Sequence, residues 1–355
     1  PEINTARPEY YPALTVDGQT LLFTRLLKVN NVDFKEQEDF FVSNKTSPGT
    51  WGYPQPMPKN INTLSNEGAP TISADGRSLV FVACADQTGY YGEKRKGKGS
   101  CDLFYAKKIG NTWYGPINLP GSVNSGNWES QPSLSADGKT LYFQSDMPGG
   151  FGLFDIYKAS VNEDGSIGEP VNLGQKINTE GQEMFPFIGD KNNLYFSSDS
   201  QLGLGGLDVF FTKEVDGKWA SVRNVGIPVN SNADDFAFNI NEATGEGFVS
   251  SNRSGGKGSD DIYSIKRLIP ICDVLLTANV MDAKTKLGID SATTSISDKE
   301  GNIASTKISS SVGVTEFMLV CEEAGKLMEQ QQAYKAAAQI LQTARDLFDT
   351  IISIM

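Results

Sequence analysis

The sequence contains no histidine among its 355 residues, and this absence excludes several kinds of active site. Histidine is the commonest general base and the commonest metal ligand in proteins. A Ser-His-Asp triad or a Cys-His pair is therefore impossible within this chain. Paired carboxylates remain the conceivable acid–base arrangement. We expect a protein without catalytic residues, metal or cofactor.

Other features are scarce as well. No stretch is long and apolar enough to span a membrane, so we expect no transmembrane segment. The formal net charge of −12 argues against nucleic acid as a partner and against attraction to anionic lipid surfaces. No signal peptide is visible, which is what we expect of a mature or excised fragment.

The chain has only four cysteines, and no Cys-x-x-Cys spacing suggests zinc. Cys84 and Cys101 end and begin neighbouring predicted strands, and Cys272 and Cys321 bracket a later segment. We predict a Cys84–Cys101 and a Cys272–Cys321 disulfide, which would suit an oxidising compartment. Buried free thiols are the alternative.

A motif recurs five times in the first 265 residues. Its clearest copies, residues 69–81 and 131–143, alternate apolar and polar residues on both sides of an Asp-Gly pair. The pair is typical of a two-residue hairpin turn. The acidic turn residues are Asp17, Asp75, Asp137 and Asp190, with a degraded fifth turn near Thr244. A period of about 50–60 residues with this content predicts a propeller or solenoid.

Each repeat continues with a third strand that begins at a shared aspartate. The aspartates are Asp102, Asp155, Asp208 and Asp261, and residues 38–42 offer the equivalent in the first repeat. A fourth short strand follows in the first four repeats, ahead of a link that contains Asn-Thr or Asn-Ser. Four strands make one blade, so residues 1–267 are predicted to form a five-bladed β-propeller.

Ring closure is expected where the two ends of the repeat region meet. Residues 1–5 match the link that joins the other blades, and the fifth repeat ends after its third strand. We expect the fourth strand of blade five to be supplied by residues upstream of Pro1 or to be absent.

The pattern Pro-x-x-Ser-x-Asp-Gly-Lys-x-Leu-Tyr-Phe, followed by Gly-x-x-Asp-Ile-Tyr, resembles the WD40-like repeats of the TolB type. The spacing and the Asn-Thr and Asn-Ser links resemble most the version in OmpA-family envelope proteins, such as the PorE-type component of the type IX secretion system. That family adds a carboxypeptidase-regulatory-like β-sandwich and an OmpA-like peptidoglycan-binding domain. The resemblance covers about residues 1–267 and implies a periplasmic, outer-membrane-associated protein.

The remaining chain divides into two predicted segments. Residues 270–321 read as short strands of a small, incomplete regulatory-like β-sandwich. Residues 322–355 are predicted to form an amphipathic helix, because apolar residues recur at three- and four-residue steps from Tyr334 to Met355. Part of it resembles the carboxy-terminal helix of flagellar rod, hook and hook-associated proteins, which would make it a fusion. A core-packing helix is the alternative.

Two sets of charged residues are candidates for function. The basic run Lys94, Arg95, Lys96 and Lys98 lies in a loop of blade two and is either a solvated loop or a contact for an acidic partner or cell-wall polymer. The repeated aspartates fit strand-start and turn geometry, although a rim of them could bind a cation.

The function class that these observations favour is a non-enzymatic periplasmic scaffold. It would bind envelope or secretion-system proteins and, as a further partner, peptidoglycan. A glycan-binding or glycan-active propeller with an acidic pocket is the alternative.

Overall fold

The computed structural model describes residues 3–29, 36–92, 95–162, 165–189, 192–215, 217–267, 273–282, 284–297 and 303–320. The described part of the chain is β-structure, as predicted, and separates into two compact units at Leu268. No helix in these ranges has the length and apolar character needed to cross a bilayer.

The first unit contains five antiparallel sheets, one for each repeat, which confirms the five-bladed propeller. Blade one contains β1 (Glu9–Leu14), β2 (Thr20–Lys28), β3 (Glu36–Ser47), β4 (Thr50–Trp51) and β5 (Gln55–Pro56). Blade two contains β6 (Asn66–Ile72), β7 (Ser78–Cys84), β8 (Cys101–Ile109) and β9 (Thr112–Asn118). Blade three contains β10 (Glu129–Leu134), β11 (Thr140–Ser145), β12 (Asp155–Ser160) and β13 (Val171–Asn172).

The last two blades differ at their outer edges. Blade four contains β14 (Glu183–Ile188), β15 (Asn193–Ser198), β16 (Asp208–Val215), β17 (Lys218–Trp219) and β18 (Arg223–Asn224). Blade five contains β19 (Asp235–Ile240), β20 (Glu246–Ser251) and β21 (Asp261–Lys266). Within the described residues no fourth strand pairs with β21.

The hydrophobic core lies between adjacent blades. The alternation of the sequence places one set of side chains on each face of a strand, so both faces of every blade can be buried. Phe40, Phe81 and Phe104 are fully buried in the cluster that blades one and two share. Ile3, Phe23, Phe248 and Ile262 belong to the cluster between blades five and one.

The two ends of the repeat region meet through the first link. The Asn4 side chain donates to the carbonyl of Ile262 at 2.9 Å and accepts from its amide at 3.0 Å. The amide of Glu9 donates to the carbonyl of Asp260 at 2.9 Å. These bonds join residues about 250 positions apart and close the ring.

The second unit contains four described strands in two two-stranded sheets. They are β22 (Asp273–Asn279), β23 (Thr293–Ser297), β24 (Ile303–Ile308) and β25 (Val314–Val320), with β22 paired to β25 and β23 to β24. The four strands agree with the strands expected in residues 270–321, but the sandwich itself stays a prediction. The helix predicted over 322–355, with its flagellar resemblance, lies outside the described residues.

Candidate functional site

The first strand of every blade, called the inner strand below, is interrupted by a β-bulge at the same repeat position. The residue at the bulge has a positive φ near +50° and is never glycine: Tyr11, Ala69, Gln131, Phe185 and Ala237. The strand register shifts at each of these positions. Left-handed backbone is disfavoured for residues with a Cβ, so five such positions carry strain of about 1 kcal/mol or more each. Bulges redirect side chains, and all five line one axial pocket.

The axial pocket has a volume of about 190 Å³ and is formed by β1, β6, β10, β14 and β19 with the turns that follow them. Apolar side chains from several blades, including Leu14, Ile72 and Leu134, line its wall. Tyr11 and Phe185 lie across the axis with ring centroids 5.1 Å apart, and Phe185 packs on Phe236 at 4.9 Å. A concave, mainly apolar pocket with aromatic side chains is typical of a binding site.

Among the described lining residues the axial pocket has one carboxylate, Glu242. Its Oε1 accepts a hydrogen bond from Asn193 Nδ2 at 2.7 Å. Gln131 also reaches across the pocket, because its Oε1 accepts the amide hydrogen of Phe185 at 2.5 Å. The sequence reasoning missed Glu242, which lies in the turn of the most degraded repeat.

A second acid, Glu38, contacts the aromatic side chain that precedes the bulge residue Tyr11. Tyr10 Oη donates to Glu38 Oε1 at 2.5 Å. Burial raises the pKa of Glu38, and burial together with the Glu38 charge raises the pKa of Tyr10. Nothing in the repeat pattern distinguishes Glu38, so its contact with Tyr10 could not be predicted from the sequence.

A buried carboxylate at the start of each inner strand forms a set that sequence reasoning also missed. Each accepts hydrogen bonds from the backbone and side chain of the Thr or Ser four residues earlier. We call this set the link carboxylates: Glu9, Glu67, Glu129, Glu183 and Asp235. The recurring spacing Thr/Ser-x-x-x-Glu/Asp after each link Asn is visible in the sequence and could have revealed the set.

The charges of these link carboxylates are balanced in two ways. Arg25, Arg95 and Arg253 form ion pairs with Glu9, Glu67 and Asp235 respectively. In blades three and four a serine hydroxyl replaces the cation: Ser145 donates to Glu129 at 3.1 Å and Ser198 to Glu183 at 2.8 Å. Burial raises the pKa of Glu183, and it raises that of Glu67 to about 7 against the opposing charge of Arg95.

The strand-start aspartates bind the Gly-containing turn that precedes each third strand. Asp102 accepts from the amides of Lys98 and Gly99, and Asp155 from those of Phe151 and Gly152. Asp208 and Asp261 accept the equivalent pairs of amides. This geometry fits the interpretation as repeat-structural residues, and the described residues contain no cluster of three or more acidic or cysteine side chains arranged for a metal ion.

The turn aspartates have a similar local role. Asp17, Asp75 and Asp137 each accept from the amide two residues later at 3.0 Å and from the hydroxyl two residues earlier. These hydrogen bonds lower the pKa of all three carboxyls. Asp190 lies outside the described residues.

The basic loop is partly internal. The Arg95 side chain is 1% exposed, where it bonds Glu67 at 2.5 Å and the carbonyl of Ile61 at 2.7 Å. Lys98 Nζ donates to the carbonyls of Gly121 and Asn124, both at 3.0 Å. Lys96 is exposed, and Lys94 lies outside the described residues. The structure thus makes Arg95 a residue of the blade interior, where it balances the charge of Glu67. A surface contact by Lys94, Lys96 and Lys98 stays a prediction.

The predicted Cys84–Cys101 disulfide is confirmed, with an S–S distance of 2.02 Å. The two cysteines lie directly opposite each other in the β7–β8 pair, at the base of the loop that carries Arg95. Cys272 and Cys321 lie outside the described residues, so their pairing stays a prediction.

These observations define the class of protein as a five-bladed β-propeller with an axial pocket. No protein-family model matches the chain, and no curated protein does. Among solved structures, TolB from Acinetobacter baumannii is 15% identical, covers 71% of this chain and gives a TM-score of 0.38. This chain spans about half of that TolB, 53% of its length, and 30% of a prolyl endopeptidase that is also similar.

Two glycoside hydrolase structures of the GH43 class are similar to this chain at the same level. An endo-arabinanase from Bacillus licheniformis is 12% identical, with coverage of 74% of this chain and 94% of its own and a TM-score of 0.46. GH43B of Bacteroides ovatus is 16% identical, and the match covers 87% of this chain and 57% of that protein, with a TM-score of 0.46.

Proposed function

We propose that this chain is a non-enzymatic binding scaffold. The observation that carries the proposal is that the recurring carboxylates bind other parts of the propeller. The described ones bind turns and links of the propeller itself, and three of them also bind an arginine of their own blade. Most glycoside hydrolases use two carboxyl groups that face one substrate, and Glu242 is the single described carboxylate of the axial pocket.

The cellular setting of the proposal is the bacterial envelope. The repeats resemble those of OmpA-family and PorE-type proteins, which supports an adaptor role in a type IX secretion-like complex. The disulfide supports a periplasmic location, because disulfides persist in oxidising compartments. Association with the outer membrane and binding to peptidoglycan rest on the resemblance alone.

The axial pocket is the proposed contact for a protein partner. Its apolar wall fits an aliphatic or aromatic side chain, and Gln131, Asn239 and Glu242 offer polar groups that would fix the orientation of a peptide. Val16 lines the rim of the pocket and is 60% exposed, so it can be changed without loss of core packing.

A capture experiment with matched variants tests the proposal. Immobilised wild-type protein should retain one or more envelope proteins from periplasmic extract. Val16→Glu should weaken their binding about tenfold, since a charge at the rim opposes an apolar contact by ~1.4 kcal/mol. Ile109→Glu, at a residue equally exposed at 60% but outside the pocket lining, is the control. Equal loss with both variants would refute the pocket as the contact.

Calorimetry with soluble peptidoglycan fragments tests whether the protein binds the cell wall. An assay for newly released reducing sugar tests whether it hydrolyses those fragments. We expect no turnover. Glycan hydrolysis that Glu242→Gln abolishes would replace the scaffold with the glycan-active alternative.

A further inference from the structure

The outer edge of blade five differs from the other four blades at one carbonyl group. In blades one to four, one residue near the start of the third strand has a carbonyl oxygen that accepts two hydrogen bonds. One comes from the link Asn and one from the amide at the end of the fourth strand. The acceptors are Phe40, Leu103, Ile156 and Val209, and the amide donors are Met57, Leu119, Leu173 and Val225, at 3.0–3.1 Å. Ile262 is the equivalent in blade five, and among the described residues its carbonyl accepts from Asn4 alone.

The side chains at the outer edge of blade five also differ from those of blades two and three. In blade three, Asn172 of β13 donates to Asp155 at 2.7 Å and accepts from the link residue Asn178 at 2.8 Å. Asn118 makes the same two contacts in blade two, to Asp102 and from Asn124. Blade five has both flanking groups in place, Asp261 on β21 and Asn4 in the link, and no described residue stands between them.

We propose that the outer edge of β21 is an acceptor site for one β-strand of a protein segment with the pattern Pro-apolar-Asn-Leu. The strand would run antiparallel to β21, with its Asn beside Tyr263 and the preceding apolar residue beside Ser264. This register copies the pairs Tyr157–Asn172 and Lys158–Val171 of blade three. Addition of a strand to an open sheet edge gives affinity through the backbone and specificity through alternate side chains.

The position of each contact follows from the alternation along β21. Ile262 directs its amide and carbonyl away from β20, because both bond Asn4. Ser264, two residues on, directs its own groups the same way and is exposed. The incoming Asn would bridge the Asp261 carboxylate and the Asn4 amide, and the following Leu amide would supply the second hydrogen bond to Ile262. The proposal concerns the rim of the ring and is independent of the axial pocket.

A peptide copied from blade three provides the probe. A fluorescent Ile-Gly-Glu-Pro-Val-Asn-Leu-Gly peptide, residues 167–174, should bind the full chain in an anisotropy titration. The same peptide with Ala in place of Asn should bind at least about tenfold more weakly, because it lacks the bridge. Equal affinity of the two peptides, or no binding at millimolar concentration, would overturn the proposal.

Two variants locate the binding on the protein. Ser264→Pro removes the outward amide, which an edge strand tolerates, and should abolish binding with an unchanged circular dichroism spectrum. Ser264→Ala keeps the amide and should bind as the wild type does. Should Ser264→Pro fail to fold, hydrogen exchange on the wild type decides. The Ser264 amide should exchange fast without peptide and slowly with it, and an amide already protected without peptide would show that another segment occupies the edge.

Discussion

At the scale of single residues, the five link carboxylates show how one repeat position is satisfied by different neighbours. Glu67 is fully buried with an arginine, whereas Glu183 is fully buried with hydroxyl and amide donors. A buried carboxylate needs hydrogen bonds in either case, but a buried arginine also needs a counter-charge. Neutralising the acid should therefore have different effects in the two blades.

Glu67→Gln should destabilise the protein far more than Glu183→Gln. The first change leaves the Arg95 guanidinium in the interior without its counter-charge, which costs about 3–5 kcal/mol. The second should cost less than about 1 kcal/mol, since a Gln amide can donate to the Thr179 and Ser198 hydroxyls and its oxygen can accept the Thr179 amide. Urea unfolding measures both, and similar midpoints for the two variants would contradict the ion-pair argument.

Acid sensitivity should depend on the turn aspartates. The folded-state pKa values of Asp17, Asp75 and Asp137 lie below the ordinary value of 3.8. Their stabilisation is therefore fully present above about pH 4 and is lost as the pH falls through the folded-state pKa.

The triple variant Asp17→Asn, Asp75→Asn, Asp137→Asn keeps acceptor oxygens at the turns but cannot titrate. Its urea midpoint should change less than that of the wild type between pH 5 and about pH 2.5. Parallel pH profiles would show that the three carboxyls do not govern acid sensitivity.

At the scale of elements, the Asp-Gly hairpins and the inner-strand bulges both use left-handed backbone, but with opposite residue choices. The hairpins place glycine there, as at Gly138 with φ +70°. The two-residue turn expected at the Asp-Gly pair is wrong, because the Ser135 amide bonds the Thr140 carbonyl across four residues and Asp137 has no positive φ. The bulges place residues with side chains there, as at Tyr11 and Phe185, and those side chains line the pocket. Strain is thus avoided where only a turn is needed and accepted where the pocket is formed.

Gly138→Ala should destabilise the protein by about 1 kcal/mol, because alanine strains a left-handed turn position. Gly126→Ala is a matched control. An added Cβ has no atom within 4 Å at either site, but Gly126 does not have a positive φ. The control should be neutral or slightly stabilising, and thermal unfolding measures both. Equal destabilisation would mean that φ is not the cause.

The disulfide is expected to stabilise blade two through its loop. Replacing Cys84 and Cys101 by Ala together removes a cross-link with a sequence separation of 17 residues, which typically contributes about 2–4 kcal/mol. Urea unfolding of this double variant against the oxidised wild type checks the value. Thiol alkylation and mass spectrometry of the native wild type should find Cys84 and Cys101 unmodified, and alkylation of either would contradict the bond.

At the scale of the whole molecule, closure of the ring depends on a short link. Asn4 satisfies both backbone groups of Ile262 at a separation of 258 residues, whereas Asn124 does the same for Leu103 at a separation of 21. The two side chains make the same contacts with the third strand, and Asn124 also donates to Asn118 at 3.0 Å. The place where hydrogen exchange speeds up in each variant, rather than the size of the stability loss, therefore reports closure of the ring.

Asn4→Ala should cost about 1–3 kcal/mol, since it leaves the Ile262 backbone groups unsatisfied, and should speed hydrogen exchange in β1 and β21 together. Asn124→Ala should speed exchange around β8 and leave β1 and β21 protected. Unchanged exchange at β21 in Asn4→Ala would show that the ring is closed by other contacts.

The sequence by itself determined the five blades, the positions of their hairpins and the Cys84–Cys101 pair. These features follow from patterns within one repeat: period-two alternation, Asp-Gly turns and cysteines at the ends of adjacent strands. Tertiary structure alone decided that Arg95 turns inward to Glu67, 28 residues earlier, that Glu242 lines the axial pocket and that Glu38 meets Tyr10. It also placed the bulges at Tyr11 and Phe185. Burial and charge pairing there depend on side chains from other strands and blades, and no pattern within one repeat records which of them meet.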